Sequence, residues 1–285
     1  MDLAQLRTFI AAAESGSFAS AADIVSASAS SVTDRIAALE HRLGAALFIR
    51  SRRGCALTPA GEGFLPRARS MVSIWDASRT EAHLPARFAR HARIGGQYAL
   101  WPEFLMPWIS VLQAEQPDLA LSLTAGASAR LNRDVAADVL DLAIVYSPAI
   151  GIGIEAARVL NDQLVLVRAA DCEDWREAWV DIDWGEALHI PIVQAVGQED
   201  ANGLRLDIGG MAVRWLIEHK AAGYVPARLA HRQMERGAIV VVPGSPSFDF
   251  SAYVTWRSRG KLDTAGIVAS LSSFVQRDEK LTKQV

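Results

Sequence analysis

Cysteine is scarce: Cys55 and Cys172 are the only two, and they stand far apart in the chain. That excludes a small secreted fold stapled by disulfides and fits a reducing compartment. No window approaches 18 uninterrupted apolar residues, which argues against a membrane-spanning helix. The opening MDLAQLRTFI is polar and acidic where a secretory leader carries a basic segment and then an apolar one. The expectation is a soluble, cytoplasmic protein. Catalytic signatures are missing too: there is no G-x-S-x-G elbow, no H-E-x-x-H and no P-loop. The 6 histidines form no pair at metal-ligand spacing. Gly151-x-Gly153 follows a proline and lacks the rest of a dinucleotide fingerprint. No metal, no cofactor and no enzymatic activity are expected.

Excess positive charge is also absent. The 29 basic and 32 acidic side chains leave a formal charge of −3, so the chain as a whole is no basic nucleic-acid coat. The charge is uneven, however. Residues 1–93 carry 12 Lys or Arg against 8 Asp or Glu, and the rest carries 17 against 24. Every basic residue in the first part is arginine; the first lysine is Lys220. Residues 1–58 alone hold six Arg against five acidic residues, so a general electrostatic grip would be weak there. A length of 285 residues with 51% hydrophobic content suits two domains, each with its own core.

The first sixty residues read as short helices with sharp punctuation. Leu3, Leu6, Phe9, Ile10 and Ala13 form one apolar stripe that Gly16-Ser17 stops. Phe18 opens an alanine-rich second segment, and Ser28 is a candidate N-cap for a third helix with Val32, Ile36, Leu39 and Leu43 in its stripe. That is helix–short turn–helix, with the third helix offering one side to a groove. Leu47 to Arg50 and Ala56 to Thr58 are expected as two short strands, with Arg52, Arg53 and Gly54 at their tip. Thr58-Pro59 starts a long amphipathic helix with Trp75 in its stripe, ending near Leu84-Pro85; Pro66 either kinks it or makes its start irregular. An exposed stripe of this kind suggests dimerisation.

From Ala92 the pattern turns to α/β. Strands are expected at 93–97, 119–124, 142–146, 163–168, 188–193, 221–226, 239–242 and 251–256. Helices are expected at 101–115, 132–140, 209–220, 227–235 and 262–274. Such alternation implies parallel sheet with helices on both faces, and the Pro- and Gly-punctuated connections suggest two lobes.

The stretch from Leu3 to Ala68 resembles the DNA-binding end of LysR-type transcriptional regulators. The resemblance is carried by Leu6, Phe9, Ala13-Glu14-x-Gly16-Ser17-Phe18, Ala21-Ala22, Val32, Ile36, Leu39-Glu40, Leu43-Gly44, Leu47-Phe48, Arg50 and Leu57-Thr58-x-Ala60-Gly61. Asp141-Leu142-Ala143-Ile144, Gly223-x-x-Pro226 and Gly237-x-x-Val240 extend it, more weakly, through the rest of the chain. It implies an all-α winged helix-turn-helix domain at 1–58, and a linker and dimerisation helix at 59–91. After them comes an α/β, two-lobed, periplasmic-binding-protein-like effector domain at 92–285. Lobe I would hold about 92–162 and 260–285, and lobe II about 163–259. The implied partners are double-stranded promoter DNA, an unidentified small-molecule effector between the lobes, further copies of the chain as dimer and tetramer, and RNA polymerase; no membrane is implied.

Within that frame Ser28, Ser30, Thr33 and Arg35 are the candidate DNA contacts of the third helix, and Arg50, Arg52 and Arg53 those of the wing. Ser28 could equally serve only as a cap, and Arg50 could brace the wing. The family commonly reads Ser-Gln-(Pro or Ser)-Ala where this chain has Ser28-Ala29-Ser30-Ser31. Ala29 offers a thymine only a methyl contact where glutamine would grip adenine, so a different operator is expected. In the effector domain the loop Tyr98, Ala99, Leu100, Trp101 has no hydroxyl besides Tyr98, which points to a flat, partly apolar or aromatic ligand surface. Trp101 could instead pack between helix and sheet. Tyr146 and Ser147 follow a buried strand, and Gln194 and Phe248 are candidates on the facing lobe. Glu218-His219-Lys220 stands where relatives commonly have a Gly-x-Gly turn. The alternative is a small-molecule-binding or catalytic α/β protein whose N-terminal domain serves assembly.

Overall fold

A computed structural model describes residues 2–51, 54–197, 203–260 and 262–277. The chain divides into two compact units, a smaller one built on residues 1–85 and a larger one built on 86–136 and 140–285. Among the described residues no helix is long and apolar enough to cross a membrane.

In the smaller unit α1 (Leu3–Ser15) begins on a reciprocal cap: the Asp2 carboxylate accepts from the Gln5 N–H, and the Gln5 side chain accepts from the Asp2 N–H. It ends where Gly16 turns left-handed at φ 65°. Ser17 caps α2 (Phe18–Ile24), and Ser28 caps α3 (Ala29–Leu43). Val32, Ile36 and Leu39 of α3 are buried against Leu6, Phe9 and Ala12 of α1 and Ala21 and Ala22 of α2. The alanines let the three helices approach closely, and each fully buried large side chain contributes about 1.5–3 kcal/mol. Strands β1 (Phe48–Ser51) and β2 (Gly54–Leu57) pair antiparallel as the wing. Thr58 then starts α4 (Pro59–Ala82), its hydroxyl accepting the Gly61 N–H at 3.0 Å, and the helix continues through Pro66. Ion pairs Arg7–Asp76 and Arg69–Glu14 join α4 to α1.

Among the described residues the larger unit holds two main sheets and a separate two-stranded one. The first has the order β4 (Leu119–Gly126), β3 (Arg90–Gln97), β5 (Leu142–Val145), β13 (Ala252–Arg257), β6 (Ile154–Leu160). Its β3, β4 and β5 are mutually parallel, and β13 runs antiparallel to both neighbours. Alternate residues of β5 serve opposite faces: Leu142 and Ile144 join the core with α5 (Met106–Glu115) and α10 (Ala265–Arg277). Ala143 and Val145 pack on Leu131 and Val135 of α6 (Ser128–Ala136). Arg93 and Asp141 bind β3 to the start of β5 through a two-pronged ion pair, with Nη2 to Oδ1 at 2.7 Å and Nε to Oδ2 at 3.1 Å. In the second sheet β7 (Gln163–Ala169) is central, and β10 (Ala222–Pro226), β11 (Ile239–Val241) and β12 (Phe248–Asp249) all pair antiparallel with it. A separate two-stranded parallel sheet, β8 (Asp181–Ile182) and β9 (Arg205–Leu206), and helices α7 (Glu186–Val196), α8 (Ala212–Glu218) and α9 (Ala227–Glu235) complete this lobe. The chain crosses between the sheets twice, through Asn161-Asp162 and back through Phe250-Ser251. The Phe250 N–H donates to the Asp162 carbonyl at 2.8 Å, so the two crossings lie side by side.

Several expectations are corrected. Residues 188–193 are not a strand but lie in α7, where Ile192 and Val196 are buried at helical spacing between Gly185 and the left-handed Gly197. The nearly continuous apolar run Ile190-Pro191-Ile192-Val193 carries no period that separates the two states. The parallel sheet that the alternation implies is present only in part, in β3, β4 and β5. Once the chain returns through crossing strands, its second sheet pairs antiparallel throughout and its first is mixed. The helix expected at 132–140 starts four residues earlier and ends before the left-handed Asp138.

Candidate nucleic-acid interface and interlobe cleft

Ser28, Ala29 and Ser30 are exposed at the start of α3. The Ser28 hydroxyl accepts the Ser31 N–H at 3.1 Å and shares hydrogen bonds with the hydroxyls of Ser30 at 2.9 Å and Ser31 at 2.8 Å. It is therefore a cap and also the centre of a polar cluster at the helix N-terminus, where backbone N–H groups favour an anion. Thr33 donates back to the Ala29 carbonyl at 3.1 Å. Arg35 is half-buried and leans towards α1, its Nη1 3.4 Å from the Thr8 hydroxyl. On the wing Arg50 is exposed, with its guanidinium over the Phe18 ring. Arg52 and Arg53 lie outside the described residues.

Two residues that the sequence did not single out for this role hold the wing in place. Glu40 near the end of α3 accepts the N–H groups of Leu47 at 2.7 Å and Phe48 at 3.1 Å. Gly16 accepts the Cys55 N–H at 2.7 Å, an approach that requires Gly54: a Cβ there would stand 2.4 Å from the Gly16 carbonyl oxygen. The wing is thus anchored to both the turn before α2 and the end of α3.

In the larger unit Tyr98 is 42% exposed, whereas Ala99 and Leu100 are fully buried. Trp101 packs on the sheet, its indole N–H donating to the Gly96 carbonyl at 2.9 Å. Tyr146 is buried and stacks on Phe250 at 3.7 Å between centroids; Trp184 meets the other ring edge-on at 5.4 Å. Burial, partly offset by Arg228, holds the Tyr146 phenol well above its ordinary value. Ser147 is exposed, and its carbonyl accepts from Asn132. Gln194 is exposed on α7, and Phe248 packs edge-on against Tyr224. His219 stacks on Trp215 at 4.1 Å, and Lys220 takes a positive φ of 51°, the conformation that a glycine turn would supply.

The strongest polar feature was not anticipated. Arg228 of α9 has 6% side-chain exposure and Asp162 has 4%, with Nε and Oδ2 at 3.5 Å. Arg228 Nη2 donates to the Ala99 carbonyl at 2.7 Å and to the Tyr146 hydroxyl at 3.3 Å. One side chain thus ties the second sheet's helix to the first sheet's loop and to one crossing strand. Asp162 Oδ1 accepts the N–H groups of Gln163 and, at 3.4 Å, Arg228. Burial pushes the Asp162 carboxyl up against the pull of Arg228. The pair is 66 residues apart, and neither residue sits in a pattern that marks it in the sequence.

Residues 3–62 match the family described as bacterial regulatory helix-turn-helix protein, lysR family, and residues 86–266 match the LysR substrate binding domain. The chain belongs to the LysR family. It is a DNA-binding transcriptional regulator with an effector-binding domain. Among its LysR-family relatives, the HTH-type transcriptional regulator HdfR of Yersinia pestis (strain Pestoides F) is 26% identical over 269 residues, 90% of each chain. The solved structure of CbnR, a LysR family transcriptional regulator, is 20% identical with a TM-score of 0.65, covering 99% of this chain and 100% of CbnR. Full-length LysG of Corynebacterium glutamicum with bound effector Arg is 19% identical with a TM-score of 0.54, covering 97% and 98%. At these identities the structures show the shared fold. In LysR terms the helix-turn-helix and wing are α2, α3, β1 and β2, and the larger unit is the effector-binding domain.

Proposed function

We infer that the protein binds operator DNA through the start of α3 and the wing, and that a small molecule between the lobes controls this binding. Ser28, Ser30, Thr33 and Arg35 are the contacts assigned to the groove, and Arg50 with Arg52 and Arg53 those assigned to phosphate or the minor groove. Tyr98, Ala99, Leu100, Trp101, Tyr146, Ser147, Gln194 and Phe248 are the effector positions; Ala99 acts through its backbone carbonyl, because its side chain is buried. The observation that carries the reading is the pair of adjacent crossings at Asp162 and Phe250, a hinge about which two lobes can close on a ligand.

Closure would alter how paired domains are presented to two half-sites. Ile74 and Trp75 are exposed on α4, which supports a dimer through that helix, and dimers of dimers with an RNA polymerase contact complete the reading. The protein acts in the cytoplasm, where promoter DNA is, and as a regulator rather than an enzyme. The test is binding of the full chain to DNA upstream of its own gene across a salt series. The expected result is preference for that fragment over scrambled DNA, with affinity falling as salt rises. Equal, salt-insensitive binding to both fragments would overturn the reading.

A further inference from the structure

Arg228 is almost fully buried, yet among the described residues its Nε and Nη1 have no hydrogen-bond partner; neither does Asp162 Oδ2. Buried donors without acceptors are unfavourable, so this guanidinium is poised to accept one. The neighbouring carboxylate cannot serve well: it is offset at 3.5 Å, and its other oxygen is engaged by the Gln163 and Arg228 backbone N–H groups. A guanidinium has two flat edges, Nε with Nη2 and Nη1 with Nη2, and a two-oxygen acceptor needs one whole edge. Each edge uses one of the two N–H groups of Nη2, and those two reach the Ala99 carbonyl at 2.7 Å and the Tyr146 hydroxyl at 3.3 Å, both in the first lobe.

We propose that Arg228 is the anion receptor of the interlobe cleft: it takes the carboxylate of a small monoanionic effector across Nη1 and Nη2 and thereby displaces one of the two first-lobe acceptors of Nη2, the Ala99 carbonyl or the Tyr146 hydroxyl. The proposal rests on the effector reading of the cleft and adds to it the ligand class and the step that couples binding to lobe movement. Charge selects the carboxylate. A phosphate dianion would place three negative charges against one guanidinium, counting Asp162, whereas a monocarboxylate places two. Burial already favours the protonated form of Asp162, which restores neutrality when the ligand arrives. The Tyr146–Phe250–Trp184 rings beside the receptor suit an apolar or aryl body.

The test is calorimetry and thermal shift on the full chain. The probes are benzoate, phenylacetate and cinnamate, each beside its carboxamide, together with inorganic phosphate. At least one carboxylate binds saturably, and its amide binds about 30-fold more weakly. Arg228→Gln weakens the carboxylate by a similar factor, and Asp162→Asn, which removes the internal competitor, strengthens it. Should Arg228→Gln fail to fold, Asp162→Asn decides: tighter carboxylate binding supports the receptor, and unchanged binding overturns it. Equal binding of acid and amide, preference for phosphate, or no carboxylate binding also overturns it. Operator binding by the same preparations separates these outcomes from failure of the regulator reading, because loss of carboxylate selectivity with operator binding intact removes only the receptor.

Discussion

The guanidinium carbon of Arg50 lies 4.7 Å from the centroid of the Phe18 ring, and that ring packs edge-on against Phe48 at 5.3 Å. The face of Arg50 therefore braces the wing on the helix-turn-helix, while its exposed N–H edges remain open to a phosphate. Arg50→Ala is expected to lower folding stability by about 0.5–1 kcal/mol and to reduce the salt slope of operator binding by about one. Arg50→Lys keeps the charge and loses the flat face, so it preserves the slope but not all of the stability. Chemical denaturation and a salt titration measure the two effects separately. An unchanged slope in Arg50→Ala would leave the residue as a brace alone.

Ser28 joins a cap and a hydroxyl cluster at the recognition helix. Ser28→Ala is expected to cost about 1 kcal/mol, read as a lower denaturation midpoint at unchanged slope. Ser30→Ala removes a hydroxyl that does no capping, so its stability should stay within about 0.5 kcal/mol of the wild type. If Ser30 reads DNA, its loss nevertheless weakens the operator complex. A Ser30→Ala protein with both properties unchanged would assign the hydroxyl to solvent.

The helix-turn-helix was legible because its signals are local. Ser17 and Ser28 precede their helices, Gly16 and Gly44 end theirs, and Val32, Ile36 and Leu39 repeat at one helical face. The effector domain hid more. Ile190-Pro191-Ile192-Val193 is apolar at every position, so only the glycines at both ends of α7 distinguish eleven helical residues from a short strand. The Ile154–Leu160 strand went unseen because its faces are both partly exposed and its residues do not alternate cleanly. Arg228 and Asp162 illustrate a different limit. Pro226-Ala227-Arg228 reads as an ordinary helix start, and only the return of the chain through the second sheet buries that arginine beside Asp162.

Gly209 opens a turn of the second lobe at φ 53°, where a Cβ would stand 2.7 Å from the Tyr98 Cβ and 3.3 Å from the Ala99 nitrogen. Neither neighbour is the far end of a flexible chain, so an added methyl must push the Tyr98–Ala99 loop away. Gly209→Ala is expected to lower stability by about 1–3 kcal/mol, combining left-handed strain with overpacking. It should also speed amide exchange at Ala99 and Leu100. Exchange unchanged there, with stability lost, would confine the effect to the turn itself.

Asp162 faces a small set of groups: the Arg228 guanidinium from α9, the Tyr146 phenol after β5, and the backbone N–H groups of Gln163 and Arg228. Burial is the largest influence and raises its carboxyl above the ordinary 3.8, so the folded protein holds that proton more tightly than the unfolded chain does. Folding then takes up a proton, and this group's contribution to stability falls as pH rises from the unfolded value through the raised one, by about 1.4 kcal/mol per unit of elevation. Glu115 works in the opposite sense: hydrogen bonds from Ser270 and then Arg277 lower its carboxyl, so its contribution is lost as pH falls through that depressed value. Urea unfolding of wild type, Asp162→Asn and Glu115→Gln at steps from pH 3 to 7 separates the two. Asp162→Asn should gain on the wild type as pH rises, and the wild type's advantage over Glu115→Gln should shrink as pH falls. A difference for Asp162→Asn that runs flat across the series would mean that the Asp162 carboxyl titrates alike in the folded and unfolded chain, and one that turns against Asp162→Asn as pH rises would mean that Arg228 holds the carboxylate ionised.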